Sequence, residues 1–179
     1  ETPIRYPSDS RLCEDVTQGV CREIERLRSA GVTAPRTFRN VRRSVTRRVR
    51  EIVHTSRRPI DREAKRRALR RPYRRLLTIT RRTIRQAEEV VMRAKRRRRP
   101  LSGDARRRVR ALERLAELGR KVVAQTKARV FKGDAKSSEK IVSVFEPHTK
   151  TGKPTEFGRM VKVQEAEGGV VTDIGTVDG

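Results

Sequence analysis

The spacing of apolar residues changes once along this chain, and that change limits the folds it can adopt. Up to residue 131 the apolar residues recur every three or four positions, which is typical of helices that bury one face. After Gly133 they alternate with polar residues or form short β-prone runs, which is typical of strands. We therefore predict an α+β fold that is mostly α, with a basic region of about four helices followed by a partial antiparallel sheet.

Four helical segments are expected before Gly133. Pro59 and Asp61 open the third, and Ser102 or Asp104 can cap the fourth. Pro72 lies inside the third segment and should kink or split it, because proline lacks the backbone N–H that a helix needs. The apolar stripes place the segments at residues 10–30, 38–53, 61–95 and 102–131.

Three short strands are expected after the helices. The first is the β-prone run Ile141–Phe145. The other two flank Gly168–Gly169, so we predict that they form an antiparallel hairpin. Three short strands bury little apolar surface, so the predicted sheet is incomplete within this sequence.

Positive charge is concentrated in the helical part of the chain. Residues 1–133 contain 41 basic and 14 acidic side chains, whereas residues 134–179 contain 6 and 8, within a total net charge of +25. A surface this cationic attracts polyanions, and nucleic acid is the expected partner. The alternative is that the arginines are ordinary solvated helix faces enriched by coding bias, since Arg outnumbers Lys by 37 to 10. That alternative does not explain why the last 46 residues lack the excess.

Arginine is suited to phosphate because its planar guanidinium donates hydrogen bonds in pairs. We predict contacts to the DNA backbone, which set position and affinity rather than sequence preference. The joints between the helical segments do not resemble the tight turn of a helix-turn-helix, so base readout is not expected. The residues expected to contact DNA are Arg42, Arg43, Arg47, Arg48, Arg96, Arg97, Arg98 and Arg99.

No group of residues has the spacing of a catalytic or metal site. Cys13 and Cys21 fall on one predicted helix roughly 12 Å apart, too far for a disulfide. His54 and His148 have no nucleophile or acid at the spacing of a triad. The acidic residues near the predicted strands show no diagnostic spacing: Glu146, Glu156, Glu165, Glu167, Asp173 and Asp178. We predict no catalytic residues, no metal site and no cofactor in this chain, and no membrane span.

Two stretches resemble insertion-sequence transposases of the DDE type, which have an RNase-H-like core. The first ten residues, ETPIRYPSDS, are similar to the family's "ET-x-I-x-YP-[TS]-DS" segment. The second stretch contains VFKGD at 130–134, KIVSVFEPHT at 140–149, KPTEFGR at 153–159 and VKVQEAE at 161–167. Together they cover about a quarter of the chain, in the family's order, with the basic helical region between them.

The resemblance implies a fragment of a transposase whose three acidic metal ligands lie outside residues 1–179. It implies that the intact parent uses divalent metal, Mg²⁺, for phosphoryl transfer on DNA. It also implies DNA partners (transposon ends and target), a possible homo-oligomer of the parent, and a cytoplasmic, nucleoid-associated location. The fragment itself is expected to contact DNA backbone and to scaffold the core.

The implied domain organisation has three parts. Residues 1–9 follow the first core strand, residues 10–133 are a basic helical insertion, and residues 134–179 are strands of the RNase-H-like core. One alternative is a stand-alone, non-catalytic helical module that binds nucleic acid. Another is a partly disordered basic chain, since 34% of residues are hydrophobic and the charge repels itself.

Overall fold

The computed structural model describes residues 8–32, 34–133, 141, 143–144 and four short strands after residue 149. The chain divides into two compact units, residues 1–140 and 141–179. Most of the predicted segment 1–9 lies outside the described residues, and the predicted domain boundaries stay predictions.

The first unit contains four α-helices in its described part, and the prediction of a mostly helical chain is confirmed. Asp61 Oδ1 accepts hydrogen bonds from two backbone N–H groups at the start of the third helix, and Ser102 Oγ accepts one from Ala105 N at the start of the fourth. The fourth helix continues into a π-helical turn, Ala128–Lys132, and ends at Gly133, which has a φ of +78°. The helices are α1 (Asp9–Ser29), α2 (Arg42–Ser56), α3 (Arg62–Lys95) and α4 (Gly103–Lys127).

Helix α1 forms the centre of this unit and contacts α2, α3 and α4. Its apolar stripe is buried, as the sequence pattern predicts, and both cysteines belong to it as free thiols. Burial raises the pKa of Cys13 to about 11, because the charged thiolate is costly in an apolar interior. The stripe residues with no solvent exposure are Cys13, Val16, Val20, Cys21, Ile24 and Leu27.

Helix α2 begins at Arg42, later than its apolar stripe suggests. Phe38 is buried but precedes the helix, so the predicted start at residue 38 is wrong. The backbone N–H of Phe38 donates to the Pro35 carbonyl at 2.9 Å, and Asn40 Oδ1 accepts from Arg42 N at 3.0 Å. These local hydrogen bonds form a turn before the helix, and Phe38 contributes to the core from that turn.

Helix α3 runs through Pro72 without a break, so of the predicted kink or split, the split does not occur. Proline removes one backbone hydrogen bond from the helix interior. Helix α3 packs against α1, α2 and α4, and Pro72 is itself buried. We attribute the continuity of the helix to this packing, since tertiary contacts can override a local backbone preference.

Helix α4 approaches α1 and α3 closely at Gly119. A Cβ at this position would lie 2.8 Å from Val16 Cγ1 and 2.9 Å from Ile84 Cδ1, closer than real Cβ contacts. The absence of a side chain therefore sets the distance at which three helices pack.

The second unit contributes two separate antiparallel strand pairs. The strands are β1 (Lys150–Thr151), β2 (Phe157–Gly158), β3 (Val161–Ala166) and β4 (Val170–Thr176). β1 pairs with β2, and β3 pairs with β4 with an irregularity between Gln164 and Glu165. Ile141, Ser143 and Val144 are not in a strand, and the rest of the predicted run 141–145 lies outside the described residues. The larger sheet of an RNase-H-like core stays a prediction.

Candidate nucleic-acid interface

The four arginines predicted on α2 do not share one environment. Arg42 Nη2 is 3.1 Å from Glu25 Oε2, and Arg48 Nη1 is 2.6 Å from Glu51 Oε2, so both guanidinium groups hold carboxylates of this chain. Arg43 and Arg47 are exposed and make no ion pair with the residues that the structure describes. Only these two of the four therefore present an uncompensated charge to solvent.

Arg50 extends the pair into a row on the outer face of α2. Arg43, Arg47 and Arg50 follow the four-and-three spacing of one helix face and are all exposed. The opposite face of the helix is buried through Val45 and Val49. The sequence prediction missed Arg50, although the same spacing rule would have selected it.

The predicted run from Arg96 to Arg99 forms the turn between α3 and α4. All four side chains are exposed. Arg97 Nη1 donates to the Gly31 carbonyl at 2.7 Å and so fastens the turn to the end of α1. Arg96, Arg98 and Arg99 make no ion pair within the described part of the chain, which leaves three cations accessible.

A further basic surface lies on α3, and none of its residues was among those predicted to contact DNA. Between residues 64 and 87 the helix contains ten Lys or Arg side chains and no acidic one. Its buried positions, among them Leu76, Thr80 and Ala87, lie on one side, so the arginines occupy the other. A count of charges along the predicted helix would have revealed this surface.

Few of the ten cations on α3 are neutralised. Arg67 pairs with Glu63, and Arg75 Nη1 lies 3.9 Å from Glu51 Oε1. The Arg74 guanidinium lies over the Phe131 ring at 5.9 Å. Arg66 and Arg74 also lack an ion pair to any described residue, but Arg66 lies beside Gly133 and Arg74 lies over Phe131. The other exposed arginines without an ion pair to any described residue are Arg70, Arg71, Arg81, Arg82 and Arg85. We call these five the α3 arginine face.

A groove lies between α3 and α4. The two helices are antiparallel, because Lys95 pairs with Glu113 near one end while Arg74 meets Phe131 near the other. The groove has a volume of about 450 Å³ and is lined on the α3 side by Arg81 and Arg85. We call it the α3–α4 groove.

A polar cluster surrounds the buried Asp9 at the start of α1. Asp9, at the start of α1, pairs with Arg129 of the π-helical turn at 2.9 Å and also accepts from Gln125 at 3.0 Å. Burial, with Asp9 nearby, raises the pKa of Tyr73 to about 12, so its phenol stays neutral. The Asp9 contacts join the start of α1 to the end of α4 and to the π-helical turn that contains Phe131.

The described residues contain no group of three or more His, Cys, Asp or Glu side chains that could hold a metal ion. His54 is exposed near the end of α2. Glu165 and Asp173 belong to β3 and β4. The other residues considered for chemistry lie outside the described part of the chain: Glu146, His148, Glu156, Glu167 and Asp178. The prediction that this chain holds no cofactor is untested.

Among the described helices, none combines the length and apolar character needed to cross a membrane.

No protein-family model, curated protein sequence or solved structure matches the chain. The transposase resemblance therefore stays a prediction, and the charged surfaces are the basis for any functional argument.

Proposed function

We propose that the helical unit binds duplex DNA through its phosphate backbone, as part of a protein of the DDE transposase type. The observation that carries this proposal is the α3 arginine face, whose members outside the α3–α4 groove, Arg70, Arg71 and Arg82, are exposed and have no ion pair among the described residues. Phosphates are the complementary charge, and each neutralised phosphate releases condensed counterions.

The arrangement of the cations favours backbone contact over base readout. The row on α2 and the α3 arginine face lie on long helices, whose rigid surfaces hold charges at fixed intervals. Two such helices contact each other, and Glu51 lies at their joint with Arg48 on one side and Arg75 on the other. A broad, rigid, cationic surface suits the regular phosphates of a duplex, and it sets affinity without sequence preference.

Catalysis is not part of the proposal for this chain. The transposase resemblance implies that the acidic metal ligands of the parent lie outside residues 1–179, so we assign the DNA-cutting step to the parent. Within the parent, the helical unit supplies affinity for transposon ends or target and holds the core near them.

A second candidate function is a stand-alone module that binds nucleic acid. The four described helices share one core around α1, and this favours a unit that folds by itself. The coding DNA on either side separates the two candidates. A reading frame that continues upstream into an Asp-bearing strand supports the transposase fragment, whereas a start codon beside Glu1 supports the module.

DNA affinity measured against salt tests backbone binding. We expect the association constant of the full chain for a fluorescent duplex to fall by roughly 10³-fold or more between about 50 and 200 mM salt, as for proteins that contact six or more phosphates. Circular dichroism under the same conditions checks that the helices persist. An affinity that stays flat over this range contradicts the proposal.

Two variants of equal charge sharpen the test. Replacing Arg43, Arg47 and Arg50 of α2 with Ala should weaken duplex binding and lower the log–log salt slope by about 2.7, at roughly 0.9 per lost phosphate contact. The control replaces Arg106, Arg110 and Arg114 of α4, which are also exposed and without an ion pair among the described residues. It should change the slope by less than one contact. Equal losses in both variants would mean that only net charge matters.

A further inference from the structure

The α3–α4 groove combines two chemical features in one place. Its rim is cationic, with Arg81 and Arg85 from α3 and Arg120 and Lys127 from α4. Its floor is apolar, formed by Ile84 and Val123. Arginines on an open helix face contact phosphates only, whereas a ligand in this groove touches charge and apolar surface together.

Three of the four rim cations are available to a ligand. Arg81, Arg85 and Lys127 make no ion pair with a described residue, and all three are exposed. Arg120 pairs with Glu88, the single acidic residue of the lining. The groove therefore has a strong net positive charge and complements an anion.

The apolar floor restricts which anion fits. The groove, of about 450 Å³, is open to solvent along its length, so it can take a segment of a longer ligand. A duplex keeps its bases stacked inside and offers phosphates outward, so it leaves an apolar floor uncovered. An unpaired strand offers both phosphates and base faces, and apolar side chains can pack against an unstacked base.

We infer that the α3–α4 groove binds an unpaired segment of a DNA strand, with phosphates on Arg81, Arg85 and Lys127 and a base against Ile84 and Val123. This inference rests on the proposed function and deepens it, because it adds a single-strand site beside the duplex-binding faces. In this arrangement the groove binds the unpaired strand, and the exposed helix faces bind the duplex.

A comparison of two double variants on one helix tests the inference. Arg81→Ala with Arg85→Ala removes the α3 side of the rim, and Arg71→Ala with Arg82→Ala removes the same charge from α3 outside the groove. Affinities of the full chain for a fluorescent 20-mer of thymidine and for a 20-base-pair duplex are measured across salt. The groove variant should lower the single-strand slope by about 1.4, at roughly 0.7 per contact, while its duplex slope changes by less than one contact. The control variant should lower the duplex slope by about 1.8 and leave the single-strand slope unchanged.

Glu88 provides a test that predicts a gain. Glu88→Gln removes the carboxylate from the groove and releases Arg120, so single-strand affinity should rise about threefold or more at 100 mM salt. The matched control is Glu89→Gln, which removes the same charge one residue away, where the carboxylate pairs with Arg93 at 2.5 Å outside the groove. The control should leave single-strand affinity within a factor of two.

A substitution that fills the groove tests whether its shape, and not only its charge, contributes to binding. Ala124 is an exposed lining residue, so Ala124→Leu places a larger side chain over the floor without altering the charge or the core. Single-strand affinity should fall about fivefold, and duplex affinity should stay the same.

The outcomes distinguish this inference from the proposed function. Normal duplex binding with single-strand binding that is absent, or that ignores the groove substitutions, overturns the inference and leaves the function standing. Equal losses for both DNA forms in the groove variant also overturn it, because the groove then holds duplex backbone. If the unaltered chain binds neither DNA form, both proposals are refuted.

Discussion

Helices α3 and α4 both pack against α1, yet they carry their charges in different ways. On α4, acidic residues are spaced among the basic ones, and Asp104, Glu113 and Glu117 each pair with a Lys or Arg. On α3, residues 64–87 contain ten basic side chains and no acidic one. A long amphipathic helix in this bundle therefore does not need an acid-free outer face in order to fold.

The difference weakens the view that the arginines reflect coding bias alone. A bias would enrich both helices while leaving their acidic residues in place, as α4 shows. The acid-free stretch of α3 is a second feature, since like charges at neighbouring helix positions repel one another by a few tenths of a kcal/mol per pair. The acid-free stretch of α3 therefore lowers the stability of the free protein. Binding of a polyanion would relieve this repulsion.

The comparison requires that the inner faces of α3 and α4, not their outer charges, hold the bundle together. Gly119→Val gives the largest expected effect on stability, because the new side chain overlaps Val16 and Ile84. We expect a loss of about 3 kcal/mol in the free energy of unfolding, measured in urea. Gly103→Ala is the control, since no atom lies within 4 Å of its Cβ position, and it should be neutral or slightly stabilising. A stable Gly119→Val protein would mean that α4 does not pack as described.

The comparison also requires the ion pairs on the outer face of α4 to contribute less than those inside the bundle. Asp9 and Asp104 both lie in the first turn of a helix and both pair with an arginine, but their side chains are 8% and 52% exposed. Asp9→Ala should cost roughly 2 kcal/mol, because it removes the ion pair with Arg129 from a carboxylate that is largely buried. Asp104→Ala should cost less than about 1 kcal/mol. Equal costs in thermal unfolding would contradict this distinction.

The turn that joins α3 to α4 offers a smaller test. It contains one arginine that is hydrogen-bonded to the C-terminal end of α1 and others that are not. Arg97→Ala removes the hydrogen bond to the Gly31 carbonyl and should cost about 1 kcal/mol in the free energy of unfolding. Arg98→Ala removes the same charge from an exposed side chain with no such bond and should leave stability unchanged. Equal stabilities of the two variants would contradict the hydrogen bond between Arg97 and the Gly31 carbonyl.

The smallest expected effect concerns Asp15 on α1. The surroundings of Asp15 disfavour its negative charge, whereas the acidic residues of α4 are paired with basic side chains. Burial, followed by the nearby Glu14, raises the pKa of Asp15 above its ordinary value of 3.8. An ionised Asp15 therefore disfavours the folded state at pH 7, and this penalty disappears when the pH falls below 3.8. Asp15→Asn should raise the melting temperature slightly at pH 7 and not at pH 3. A lowered melting temperature at pH 7 would show that Arg11 and Arg22 outweigh burial.

The helices could be predicted from the sequence because each buries one continuous stripe. Capping by Asp61 and Ser102 could also be predicted, since capping depends on residues within one turn. The start of α2 could not, because Phe38 continues the apolar stripe while its backbone forms a turn closed by Pro35. Spacing alone does not separate a buried turn residue from a helical one.

The candidate interface was only partly predictable. The sequence shows that Arg42 and Arg48 are basic, but not that Glu25 of another helix binds Arg42. Long-range ion pairs depend on how helices pack, and that information is absent from local patterns. The α3 arginine face could have been identified from the acid-free stretch of its helix, whereas the α3–α4 groove required two helices to be placed side by side.

The central claim is that the α3 arginine face binds DNA and is not required for the fold. Its most direct test is the log–log salt slope of duplex affinity for a variant with Arg70, Arg71, Arg81, Arg82 and Arg85 all changed to Gln. We predict that the slope falls by about 3, from the contacts of the three arginines outside the groove, while the urea midpoint stays equal to or above that of the unaltered chain. An unchanged slope in a folded variant would contradict the account.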